Sequence, residues 1–193
     1  MQTSRGSLFS DSLVTRLRLV LATLVAGAVL AGCAGPGLDD YSDMEPELIP
    51  QTFFDGELSA RGVVKNRSGE VIRTFDADIS ASWNSQGVGT LDEVFRFDDG
   101  EVQTRVWTLT PNNDGTLHAD AGDVVEPGTM RWQGNAINMN YVLRVAYGDG
   151  DNSIDVSMDD WMYLVTPDTL INETTMTKWG FDVGEIVLVI QKR

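Results

Sequence analysis

The chain holds one cysteine, Cys33, and one histidine, His118, among 193 residues. A single thiol cannot close an intrachain disulfide, so any folded domain must be held by its core. There is no Cys/His cluster with metal-ligand spacing, so no metal is expected. A nucleophile–histidine pair would have to use His118, which alternates away from the apolar face of its own segment, and no catalytic residue is assigned. No phosphate loop or dinucleotide fingerprint occurs, and no cofactor is expected. Positive charge is also scarce, with 14 Lys and Arg against 29 Asp and Glu. Such a surface repels phosphates, which excludes nucleic acid as a partner. Long apolar runs are missing too. The uncharged run Leu19 to Leu30 is too short for the roughly 20 apolar residues that a membrane-spanning helix needs.

That short run has a meaning of its own. Arg5, Arg16 and Arg18 precede it as a basic flank, and Leu30-Ala31-Gly32-Cys33 closes it. Basic flank, apolar core and small residues before a lone cysteine make a signal peptide over 1–32, with a lipobox that presents Cys33 for acylation. Several acyl chains of the palmitate type on Cys33 give stable anchoring where a single chain holds only marginally. The expected partner is therefore a membrane, reached through Cys33. Ala34 follows the cysteine where inner-membrane lipoproteins tend to carry Asp, so the expected location is the outer membrane with the domain in the periplasm. Without residues 1–32, which carry Asp11 and three arginines, 28 acidic and 11 basic side chains remain, a net charge of −17.

Residues 33–52 are expected to form the acylated cysteine and a flexible acidic tether, because Gly35 to Thr52 is rich in Gly, Pro and carboxylates and has little apolar periodicity. From Phe53 to 193 the apolar period is two, the signature of strands. Phe54, Gly56, Leu58, Ala60, Gly62 and Val64 share one face; Val71, Phe75, Ala77, Ile79, Ala81 and Trp83 share the next. A four-residue loop Asn66–Gly69 pairs Val64 with Val71 and Gly62 with Arg73. In the next hairpin the inward sets Leu91, Glu93, Phe95 and Arg105, Trp107, Leu109 are both odd-numbered. The turn must then hold an odd number of residues, which selects Asp98-Asp99-Gly100 with Gly100 left-handed and sets Glu93 directly against Arg105.

Pro111 to Gly115 turns next, followed by Leu117, Ala119, Ala121, Asp123 and Val125, and Glu126–Thr129 reads as another turn. Met130, Trp132, Gly134 and Ala136 are one step out of phase with Met139, Tyr141, Leu143 and Val145. That requires a bulge, or alternatively a second tight turn, near Gly134-Asn135. Ile154 to Leu164, Leu170 to Lys178 and Ile186 to Ile190 complete about nine strands. The expected fold class is all-β, an antiparallel meander closed into a lipocalin-like barrel, with a two-sheet sandwich as the alternative.

Arg73, Glu93, Arg105, Asp123, Asp160, Asn172 and Lys178 fall on the inward face, where charges must pair or line a wet cavity. Glu93 and Arg105, with Trp107, Asp123, Asp160, Asn172 and Lys178, are the candidate ligand-binding residues. Glu93–Arg105 reads either as an ion pair that fixes register or as a polar anchor for a head group. Met130, Met158, Met162 and Met176 add an adaptable lining. Asp149, Asp151 and Asn152 look like a calcium-loop fragment, but Asp-Gly-Asp is the commoner turn.

Five motifs keep an order and spacing that resemble a known family: Phe54-x-Gly56-x-Leu58; Leu91-x-Glu93-x-Phe95-x-x-Asp98-Asp99-Gly100 with Arg105-x-Trp107; Gly134-Asn135-Ala136; Asp159-Asp160-Trp161-Met162; and Leu170-x-Asn172 with Met176-x-Lys178. Together they look like the proteobacterial lipoproteins described as domain of unknown function 3833. The resemblance implies a lipid-anchored domain of lipocalin-like general form and no particular activity. Three functions follow as expectations. The barrel holds a lipid, fatty acid or other apolar small molecule; or it is an envelope interaction module with a filled core, meeting a partner through its acidic surface or Trp161; or, last, it is a lipid-modifying enzyme using Asp160, Asn172 and Lys178.

Overall fold

The computed structural model describes residues 35–146 and 152–193. Leu38–Arg193 forms one compact unit. Cys33 and Ala34, and Asp149 and Asp151, lie outside the described residues.

Ten antiparallel strands close a barrel in which each strand pairs with its sequence neighbours and the last returns to the first. They are β1 (Gly56–Asn66), β2 (Val71–Trp83), β3 (Gly89–Phe97), β4 (Val102–Pro111), β5 (Leu117–Asp120), β6 (Val124–Gln133), β7 (Ala136–Ala146), β8 (Ser153–Thr166), β9 (Thr169–Lys178) and β10 (Phe181–Lys192). Closure removes both sheet edges, so among the described residues no unpaired strand is left as a template for aggregation. The tenth strand comes from Gly134-Asn135. Gln133 pairs with Ala136, and Gly134 is left-handed at φ 53°, so these residues form a two-residue turn and not a bulge within one long strand.

The period of two does place the faces. Leu58, Ala60, Ala77, Ile79, Leu91, Trp107, Leu109, Leu117, Met139, Met158, Leu164 and Leu170 are all buried in one core. β3 and β4 pair Leu91 with Trp107 and Glu93 with Arg105 across a three-residue turn in which Gly100 sits at φ 89°. The β1–β2 register differs from expectation by two residues. Asn66 accepts two backbone N–H bonds within its own turn and pairs with Glu70, and a bulge follows between Val64 and Lys65. Val64 therefore faces Arg73, and Gly62 faces Phe75. A slip of two preserves the inward face, because side chains alternate with that period. It also explains Gly62, where a Cβ would stand 2.6 Å from both the Phe75 ring and Leu188.

Glu126–Thr129 is no turn. It lies inside β6, in a stretch where the β6–β7 register shifts twice. Proline is tolerated at such irregular positions because its missing N–H breaks no ladder bond there. The actual turn is Ala121–Asp123, closed by the Val124 N–H on the Ala121 carbonyl, and Val125 faces solvent.

The segment before β1 is not a tether once Leu38 is reached. A 3₁₀ turn (Leu38–Tyr41) and a one-turn helix α1 (Pro50–Phe53) pack against the barrel, with Leu48, Pro50, Phe53 and Phe54 buried. Leu48 N–H donates to the Gly134 carbonyl at 2.7 Å. The Tyr41 carbonyl approaches Gly134 so closely that a Cβ there would lie 1.7 Å from it. The Tyr41 ring packs against Trp161 and Tyr163 at 5.7 and 5.5 Å between centroids. The folded domain thus starts near Leu38 and not at Phe53.

Candidate functional site

The two ends of the barrel differ. At the end where β1 starts, α1 and Phe54 form a floor, and the Trp83 indole N–H donates to the Phe54 carbonyl at 2.6 Å. At the other end, where the Asp98–Gly100 and Ala121–Asp123 turns lie, Arg73 bonds Asp99 and Glu101 at 2.8 Å each and its guanidinium rests 3.7 Å from the Phe97 ring. Between them lies a cavity of about 250 Å³. Its lining runs from Phe54 at the floor to exposed Gln103 at the mouth, with Met130, Met139, Met158, Met162 and Met176 along its walls.

One cluster breaks this apolar lining. Glu93 (β3), Arg105 and Trp107 (β4), Tyr141 (β7), Asp160 (β8) and Asn172 and Thr174 (β9) all border the cavity. Glu93 is 9% exposed and Asp160 5%. Burial pushes the Glu93 carboxyl up to about 7; nearby Arg105 opposes the rise and nearby Asp160 adds to it. Burial likewise raises Asp160 to about 6, against the stabilising hydrogen bonds of Thr174, Tyr141 and Asn172. The Thr174 hydroxyl donates to Asp160 Oδ1, and Asn172 Nδ2 donates to the Trp161 carbonyl at 3.2 Å. The Tyr141 hydroxyl, whose own ionisation is suppressed by burial, packs its ring edge-on to Trp107 at 5.2 Å.

The expected Glu93–Arg105 ion pair does not form. The two residues are directly opposed, but Arg105 Nε and Nη2 close on both oxygens of Asp123 at 2.9–3.1 Å. The reason is register. Leu109 pairs with Ala119 and Thr108 with Asp120, and continuing that ladder three residues beyond the end of β5 brings Asp123 alongside Arg105. Asp123 itself stands at the edge and does not line the cavity. Lys178 also lies apart, with its ammonium on the Asp155 carbonyl and beside the Trp179 ring. Asp160, Asn172 and Lys178 therefore do not meet as one group, whereas Asp160, Asn172 and Thr174 do. Tyr141 and Thr174 were not among the expected site residues, although both fall on inward positions of their strands and such positions are the available signal. Asp159 turns the other way, to Asn138 Nδ2 at 2.8 Å. Among the described residues no group of three His, Cys, Asp or Glu side chains is placed to hold a metal ion.

A closed ten-stranded meander with a partly open internal cavity defines a lipocalin-like β-barrel. The chain belongs to the family described as Protein of unknown function (DUF3833), whose model matches residues 27–192. Among solved structures it is similar to Rv2717c from M. tuberculosis, at 17% identity and TM-score 0.54, covering 78% of this chain and 99% of that one. It is also similar to the S-type phycobiliprotein lyase CPES from Guillardia theta, at 16% identity and TM-score 0.48, covering 82% and 98%. At such identities the likeness concerns the fold. No curated protein matches.

Proposed function

We propose that this protein is an outer-membrane lipoprotein, anchored through acylated Cys33, whose periplasmic barrel holds a lipid or another apolar small molecule. The observation that carries the reading is the cavity of about 250 Å³, apolar over most of its wall and polar at one cluster, which is how small-molecule pockets combine affinity with orientation. An interaction module with a filled core fits this interior less well, and Trp161, its suggested contact, is half-buried beside the Tyr41 ring. The anchor rests on the lipobox and its basic flank.

Two measurements test the reading. Native mass spectrometry of delipidated protein mixed with fatty acids and phospholipids should show a bound lipid at one-to-one stoichiometry; bare protein throughout would refute the binding half. Cells grown with labelled palmitate should yield labelled wild-type protein and unlabelled Cys33→Ser protein. Label on Cys33→Ser, or none on the wild type, would refute the anchor.

A further inference from the structure

The cavity has a sign, and it is set by which groups are already satisfied. Three carboxylates, Glu93, Asp160 and Asp123, surround one guanidinium, Arg105. That cation is spent on Asp123, which holds Arg105 Nε and Nη2 together. Thr174 and Tyr141 direct their hydroxyls to Asp160, and Asn172 donates its amide N–H groups to Asp160 and to the Trp161 carbonyl. Glu93 has no ion pair among the described residues, although it is nine-tenths buried on the cavity wall. Deeper in the cavity the donors are engaged within the protein, the Trp107 indole N–H on Glu93 itself, and the carboxyl facing the cavity remains an acceptor. At the mouth Arg73 Nη2 bonds Asp99 and Glu101, which outweigh its charge, while its buried Nε has no acceptor.

We propose that the polar cluster recognises an apolar molecule bearing a cationic, hydrogen-bond-donating head group, a primary amine, which binds against Glu93 in preference to the carboxylate of a fatty acid. This rests on the ligand-binding reading above and narrows its ligand class. An ammonium supplies the charged donor that Glu93, bonded only by the Trp107 indole, lacks, and it offsets the unmatched negative charge, whereas a carboxylate adds one more anion to a buried cluster that already has an excess. The volume of about 250 Å³ equals roughly eight water molecules at ~30 Å³ each, so an alkyl chain of about that many carbons fits, with the mouth open to a longer one.

The test is a binding series at pH 8 on the delipidated full-length chain without its leader, with n-octylamine, n-octanol and n-octanoate as probes, read by calorimetry and by tryptophan fluorescence. Octylamine should bind at least about tenfold more tightly than octanoate, with octanol between them. Glu93→Gln should weaken octylamine about tenfold or more and leave octanol almost unchanged. Octanoate binding as tightly as octylamine, or a Glu93→Gln protein with the same amine preference as wild type, overturns the proposed head group while leaving the ligand-binding reading intact. Failure of all three probes to bind removes both. The wild-type series alone decides between amine and carboxylate should the variant not fold.

Discussion

Glu93 and Arg105 stand opposite one another across the β3–β4 ladder, yet the guanidinium turns away to Asp123 and leaves Glu93 buried without an ion pair. A carboxyl so placed is more easily kept protonated, and burial carries it from 4.5 to about 7. Between those values the folded protein binds more protons than the unfolded chain, so this group's contribution to stability is complete below about pH 4.5 and is lost as pH rises through about 7. The shift corresponds to about 3 kcal/mol. Glu93→Gln, which cannot ionise, should therefore be more stable than wild type at pH 8 by a few kcal/mol, with the gap closing toward pH 4.5. Urea melts at the two pH values check this, and an advantage that does not change with pH would contradict it.

The Arg105–Asp123 pair is intermediate in exposure, 17% and 39% for the two side chains. Asp123→Asn should cost between about 1 and 3 kcal/mol, more than an exposed pair and less than a fully buried one. It should also release Arg105 toward Glu93, so the Glu93 carboxyl titrates lower than in wild type. Carboxyl chemical shifts followed against pH would show this. An unmoved Glu93 would mean that Arg105 is held in place by something other than Asp123.

These two residues also show what a sequence discloses and what it withholds. Parity alone sets Glu93 opposite Arg105, because two odd-numbered apolar sets demand an odd turn and Gly100 supplies its left-handed residue. Parity says nothing of which neighbour a long side chain selects. Arg105 lies between Glu93 on β3 and the extension of β5, and only the β4–β5 ladder shows that Asp123 lies within reach. Lys178 has the right parity too, but sits at the rim, where a backbone carbonyl captures it. Pro127-Gly128 carries the chemistry of a turn, yet Gly128 pairs with Ala119 on β5, and Glu126 and Thr129, before and after it, pair with β7, which keeps it in β6. In Gly35 to Thr52 the average composition conceals a few buried anchors among many polar residues.

One of those anchors is Leu48, fully buried, with its N–H on the Gly134 carbonyl. Leu48→Ala should destabilise the domain by about 2–5 kcal/mol, as for other wholly buried leucines. A flexible tether would give no change. Hydrogen exchange should rise first at Leu48, whose amide ties this segment to the Gly134 carbonyl, and at Phe53, whose amide closes α1 on the Ile49 carbonyl. Wild-type stability in the variant would return residues 38–52 to the tether.

Trp179 occupies the β9–β10 turn at φ 52°, with Gly180 after it at φ 79° and its own ring 84% exposed. Two consecutive left-handed residues make a turn that favours Asn-Gly, and a bulky residue at the first position carries a strain of about 1–2 kcal/mol. The compensating contact is Lys178, 5.5 Å from the ring centroid, which at an exposed site contributes about 0.5–1 kcal/mol. Relief of strain outweighs that loss, so Trp179→Asn should stabilise the barrel by up to about 1 kcal/mol, a rise in Tm of roughly 2–4 °C for a domain of this size. A fall in Tm would mean that the ring contributes packing which its exposure does not show. A rise would mean that an aromatic side chain is kept at the open end of the barrel against the preference of its own turn, and octylamine titration of the same variant would show whether ligand entry depends on it.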